Sequence, residues 1–154
     1  MNKDLANRLR EVLLNGKWIA NTNFKEQITN TTWQQAIERV DNLNTIALLT
    51  FHINYYLKGL LNVFEGGNLE ISDKYSFDMP EISSEKDWQS LVNEFISNAE
   101  KFIQCVEKMD EQLLLQPFVK EEYGSYLRNI EAQIEHGYYH LGQISLIKKM
   151  IVQE

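Results

Sequence analysis

The chain has 154 residues, 44% hydrophobic and 24% charged, which suits one domain that buries its own core without staples. Its 15 basic and 22 acidic residues give a formal net charge of −7, which excludes the basic footprint of a nucleic-acid binder. A lone cysteine, Cys105, excludes an intramolecular disulfide, and no apolar run reaches the ~20 residues of a membrane span. Met1-Asn2-Lys3-Asp4 opens a charged amphipathic segment rather than the apolar core of a leader, so a soluble, cytoplasmic protein is expected.

Leu5, Leu9, Val12 and Leu13 recur at helical spacing and predict a first helix over 4–15, with Gly16 as a left-handed stop. Residues 17–31, rich in Asn and Thr, read as irregular. Thr31 or Thr32 can cap a short helix over 33–40. A long helix over 43–64 follows from the stripe Ile46, Leu49, Ile53, Leu57, Leu60 and Leu61, and Glu65-Gly66-Gly67-Asn68 ends it. Residues 68–83, with Pro80, read as a long loop. Ser84 and Asp87 resemble a capping box with Asp in place of the longer Glu. The helix they open runs to about Met109, with Trp88, Leu91, Val92, Phe95, Ala99, Phe102 and Val106 facing inward and Cys105 read as a small buried hydrophobe. After Pro117 and Gly124, a last helix over 125–152 carries the stripe Ile130, Ile134, Leu141, Ile144 and Ile151. No segment alternates with a strand's period of two. The fold class is all-α: one domain over 1–154, a four-helix bundle whose long 65–83 connection permits a crossover.

Every histidine of the chain falls on an apolar stretch of a long helix: His52 in Leu48-Leu49-Thr50-Phe51-His52-Ile53, His136 and His140 in Glu135 to Ile144. Residues four apart on a helix have Cβ atoms ~5–6 Å apart on one face, so His136 and His140 can both reach one ion at ~2.0–2.1 Å. An imidazole on an apolar helix face needs partners for its nitrogens, and a metal shared between helices supplies one. Gln143, Gln133 and Asn54 are the candidate acceptors for the other ring nitrogens. Spacing alone leaves two readings open: a three-histidine metal site, or core histidines satisfied by their neighbours. Tyr55, Tyr56 and Tyr139 lie three or four residues from one of these histidines, or next to it, and one of them could line a pocket. Glu135 points about 100° away from its neighbour His136 and is not a candidate.

Around these residues the chain resembles the DinB/YfiT-like superfamily of metalloenzymes. The resemblance rests on Thr50-Phe51-His52, on His-x-x-x-His-x-Gly-Gln-Ile over His136 to Ile144, and on Phe77-Asp78-Met79-Pro80 through Trp88-Gln89-Ser90-Leu91. It spans about residues 5 to 150 and implies a bundle of up-down-down-up order. It implies a divalent metal on His52, His136 and His140, zinc or nickel first, with iron, manganese or cobalt as the alternatives. Gly137 and Gly142 then read as places of close helix approach. Members with assigned activity include thiol-dependent transferases and isomerases that use bacillithiol or mycothiol; others are named metal-dependent hydrolases without an assigned reaction, and many have no known activity. The expectation is a thiol S-transferase or hydrolase acting on a small molecule, possible as a homodimer, with no nucleic acid and no membrane as partner. The alternative is a non-catalytic, stress-related module in which the ion is structural or sensory. No catalytic residue beyond the three ligands is assigned.

Overall fold

Helix α4 (Ile46–Phe64) carries the first of the histidines and shows how local chemistry sets the elements. Thr45 sits in extended backbone and its hydroxyl accepts the Leu48 N–H at 3.1 Å, which satisfies one of the orphan donors of the first turn. At the other end the Gly66 N–H reaches the Val63 carbonyl and the Gly67 N–H reaches the Asn62 carbonyl at 2.8 Å, with Gly66 at φ 97. That is a glycine-dependent left-handed stop, as read from Glu65-Gly66-Gly67-Asn68.

The computed structural model describes residues 1–152 and is all-helical. The other helices are α1 (Asn2–Arg10), α2 (Phe24–Thr29), α3 (Trp33–Ile37), α5 (Glu85–Lys108), α6 (Glu111–Leu114) and α7 (Tyr126–Val152). Helix α1 continues as a wider π turn over Glu11–Asn15, and Gly16 leaves it in extended backbone at φ −79, not the left-handed stop expected. The polar stretch 17–31 is not wholly irregular. Asn23 caps α2 through the Glu26 N–H, and Thr32 with Gln35 forms a full capping box on α3. Helix α3 ends at Ile37, short of the expected Val40. At α5 the Ser84 hydroxyl accepts the Asp87 N–H, but the short Asp87 side chain turns to Ser83 and leaves the box half made.

The long helices pack as two pairs. Helices α4 and α5 run in the same direction: Phe51 lies beside Leu91 and Glu94 at one end, and Phe64 stacks on Phe102 at 5.1 Å at the other. Helices α4 and α7 run opposite ways, with His52 against His136 and His140, and Phe64 against Tyr126. Helix α1 runs with α7, since Arg8 reaches Glu131 and Val12 lies against Gly137. Its start meets the end of α5, where the Asn2 amide donates to the Val106 and Met109 carbonyls. The expected stripes of α4, α5 and α7 are all buried, and Trp88 in the first turn of α5 donates its indole N–H to the Thr31 carbonyl at 2.9 Å.

The parallel α4–α5 pair requires a connection that travels the length of the bundle. Residues 65–84 make it, through a short 3₁₀ turn at Asp73–Tyr75. Two adjacent tyrosines of α4 fasten it. The Tyr55 hydroxyl exchanges hydrogen bonds with the backbone of Ser72, and Tyr56 donates to Asp73 Oδ1 at 2.6 Å. Gly59 lets the strap lie close, because a Cβ there would sit 2.4 Å from an Ile71 methyl.

Candidate metal centre

Helices α4 and α7 bring the three histidines to one point. His52 Nε2 is 3.1 Å from His136 Nε2, and His140 Nε2 is 2.9 Å from the same atom. The potential ligand atoms of all three lie within 4.8 Å of one another, and among the described residues no Cys, Asp or Glu joins the group. His52 and His140 are buried, and His136 is partly so.

The partners of the outer nitrogens fix the tautomers. His52 Nδ1 lies 3.2 Å from the Ser76 carbonyl, and His140 Nδ1 lies 2.7 Å from Gln143 Oε1. Both oxygens can only accept, so each Nδ1 carries the proton of its neutral ring. The Nε2 atoms of His52 and His140 are therefore bare lone pairs, aimed at each other's neighbourhood and at His136. One neutral His136 has at most a single proton to offer both of them. Without a cation, two or three lone pairs crowd one spot; a divalent ion would satisfy all of them at once. The residues present thus fit a metal ion, and the cluster could hold one.

Burial and mutual repulsion keep the rings neutral, the form that ligates. Desolvation, then the neighbouring His140 and His52, lower the His136 pKa to about 4. Burial likewise lowers His52 and His140, partly offset by the Ser76 carbonyl and by Gln143.

The surroundings are aromatic. Phe77, delivered by the 65–84 connection, stacks face to face on His52 at 4.0 Å, and Tyr56 packs edge-on against both His52 and His136. Burial and the bond to Asp73 push the Tyr56 hydroxyl up to about 12, so it stays a proton-bearing phenol at neutral pH. A cavity of about 300 Å³ opens on His136, with Tyr56 and Gln133 in its wall. The larger groove between α4 and α5, about 520 Å³, is lined by Lys58, Glu65, Glu94 and Lys101 and touches none of the histidines.

Of the acceptors expected for the outer nitrogens, Gln143 takes the role. Gln133 and Asn54 do not: Asn54 instead accepts from Asn98 of α5 at 2.9 Å, and Gln133 faces the cavity side of α7. The Ser76 carbonyl was not foreseen, because a backbone group in a loop leaves no signature in residue type. Of the three tyrosines near the histidines in sequence, Tyr56 lines the cavity, whose wall Tyr123 also joins. Tyr55 fastens the strap, and Tyr139 is largely exposed with only its edge on His140. Gly137 does mark a close approach, to Val12 of the first helix, whereas Gly142 faces open space and the close approach expected there is absent. Glu135 points away, into an ion pair with Arg128. Cys105 is only half-buried; desolvation raises its thiol pKa, which leaves it protonated and unreactive.

No helix among the described residues is long and apolar enough to cross a membrane. Neither the curated proteins nor the solved structures contain a match to the chain. A family model described as "Protein of unknown function (DUF1572)" matches residues 2–154, and with that match the chain belongs to DUF1572, a family of the DinB/YfiT-like superfamily.

Proposed function

We propose that this protein is a metal-dependent enzyme that acts on a small molecule at the centre formed by His52, His136 and His140. One observation carries the reading: the Ser76 carbonyl and Gln143 force bare Nε2 atoms to converge beside a cavity, with no acidic or thiol side chain among the described residues closing the group. Structural sites are closed by a fourth protein ligand, whereas catalytic ones keep a position open.

When bound, a divalent ion supplies a Lewis acid that favours the anionic form of a thiol or of water. Zinc or nickel is the leading choice for three imidazoles, and iron also suits them; cobalt and the more oxygen-seeking manganese come after these. Three neutral ligands leave the ion's charge uncompensated, which favours an anionic nucleophile. The reaction class is thiol S-transfer or hydrolysis. The chain's own residues prepare that point. Ser76 and Gln143 hold the ring tautomers, Phe77 and Tyr56 fix the ring planes, and Asp73 holds the Tyr56 proton away from the ligands. The pairing of α1 with α7 and of α4 with α5 supports the up-down-down-up order of the superfamily. A homodimer is part of the same proposal and rests on the resemblance.

A structural ion is the second reading, favoured by the fact that the histidines come from two helices that the ion would tie together. The deciding experiment is a turnover screen of metal-loaded protein with low-molecular-weight thiols paired with electrophiles, and with esters in the absence of thiol. Turnover abolished by EDTA supports the enzyme. Silence in both arms, with a melting temperature that drops on metal removal, favours the structural tie.

A further inference from the structure

The long connection that passes the histidines meets α4 through a short turn. Ser72, Asp73, Lys74 and Tyr75 are exposed, and Ser76 is buried. The turn and the residue after it are held to α4 at Tyr55, at Tyr56 and twice at His52, once by the Ser76 carbonyl on Nδ1 and once by the stacked Phe77 ring. Tyr55 uses its hydroxyl in both directions, accepting the Ser72 N–H at 2.8 Å and donating to the Ser72 carbonyl at 3.0 Å. The same carbonyl accepts the Tyr75 N–H at 2.9 Å. One residue on, the Asp73 carbonyl accepts the Ser76 N–H at 3.1 Å and the Ser76 hydroxyl at 2.8 Å. Residues 72–76 are thus one cross-braced unit, so a shift of Ser72 is passed on to the Ser76 carbonyl. The Tyr55 ring itself packs on Phe51 and Tyr56, and among the described residues it makes no ring contact with a histidine.

We propose that Tyr55 is a positioning residue of the metal centre: through this turn it holds the Ser76 carbonyl on His52 Nδ1, so that docking of the connection and metal binding strengthen each other. The proposal deepens the reading of the three histidines as a metal centre, and rests on it for the ion alone. A neutral imidazole has one proton to place. With the Ser76 carbonyl 3.2 Å from His52 Nδ1, that proton stays on Nδ1 and Nε2 keeps its lone pair. With the turn lifted away, the proton can move to Nε2, and the ring then offers no ligand at the point where the histidines meet. The docked turn is therefore the state that takes an ion. An ion on Nε2 keeps the Nδ1 proton facing the carbonyl, so it favours the docked turn by the same factor. Tyr56 still donates to Asp73 when Tyr55 is altered, so loss of the Tyr55 hydroxyl loosens the turn without releasing it.

The test compares the wild-type full chain with Tyr55→Phe and with Ser72→Ala, the control, since Tyr55 engages only backbone groups of Ser72. Imidazole nitrogen chemical shifts report the His52 tautomer in metal-free protein at about pH 7.5, above the lowered pKa of that ring. A bare Nε2 is expected in the wild type and in Ser72→Ala, and a share of the Nε2–H form in Tyr55→Phe. Zinc affinity, read by competition with a chromophoric chelator, should fall about threefold to tenfold in Tyr55→Phe, short of the ~10–100-fold that follows outright loss of a supporting partner. In Ser72→Ala it should match the wild type. Zinc should also slow hydrogen exchange at the Ser72 amide of the wild type, whose acceptor is the Tyr55 hydroxyl. Tyr55→Met serves if the phenylalanine variant does not fold. A His52 tautomer that does not change, even if the melting temperature drops, overturns the proposal. So does an unchanged zinc affinity in Tyr55→Phe, an equal loss in Ser72→Ala, or a Ser72 amide indifferent to zinc. If the wild type takes up no zinc, the metal reading fails on its own, and the tautomer in the metal-free chain decides whether Tyr55 positions the ring.

Discussion

Gln143 offers the sharpest handle on the metal centre, because it touches the tautomer of a ligand without supplying one. Its Oε1 accepts from His140 Nδ1 at 2.7 Å. In Gln143→Leu that acceptor is gone, and the buried His140 ring is free to place its proton on Nε2, where it blocks the lone pair. Loss of such a supporting acceptor costs about 10–100-fold in metal affinity, or about 1.4–2.7 kcal/mol. Gln143→Glu should act in the opposite direction, since a carboxylate on Nδ1–H makes the ring a stronger base and a better ligand. Zinc affinity measured by competition with a chromophoric chelator reads both signs. Weakening by leucine and tightening by glutamate are expected. Equal affinities in all three proteins would refute the tautomer argument, even if the protein binds metal.

Other consequences can be measured on the same protein. In the metal-free form, His136 has a folded pKa of about 4 against 6.5 unfolded, so between those values only the unfolded chain takes up the proton. Stability is therefore full above pH ~6.5 and falls as the pH drops towards 4; with allowance for the partial exposure of His136 the loss is about 1–2 kcal/mol, visible in urea melts across that range. His136→Ala should flatten that part of the profile. Val119 is held at φ 64, inside a tight turn closed by the Lys120 N–H on the Phe118 carbonyl at 2.6 Å. A β-branched residue there is strained by ~1–3 kcal/mol, so Val119→Gly, after its extra chain entropy, should stabilise by about 1 kcal/mol in denaturant melts. Trp88→Phe empties part of the core and strands the Thr31 carbonyl, and should cost about 2–4 kcal/mol.

The helices that carry the site were legible because their apolar stripes run for many turns. Ile46 to Leu61 and Trp88 to Val106 keep one face through the whole element, and each residue of those stripes is buried. The short elements were harder. Asn23 caps a six-residue helix whose only long-range signal is Phe24 and Ile28, too few turns for a period to show. The π turn at Glu11–Asn15 hides because Val12 and Leu13 fit a regular helix equally well. At the site, spacing brought His136 and His140 together, and burial required partners for His52. Which acceptors hold the outer nitrogens was only half legible. Gln143 follows from its place three residues beyond His140, on the same face. The Ser76 carbonyl depends on how Tyr55 and Tyr56 fasten a twenty-residue connection, which no local pattern encodes. Gln133 and Asn54 stand on the right helices but face the cavity and α5, a matter of a fraction of a turn that periodicity does not resolve.

The most direct test is the metal content of the chain, produced without a polyhistidine tag and analysed by elemental mass spectrometry after gel filtration. One divalent ion per chain is expected, lost in His136→Ala while the far-ultraviolet helical signal persists. A chain that carries no ion and takes up none from zinc or nickel, or a His136→Ala variant that retains the ion as tightly, would contradict a centre built on His52, His136 and His140.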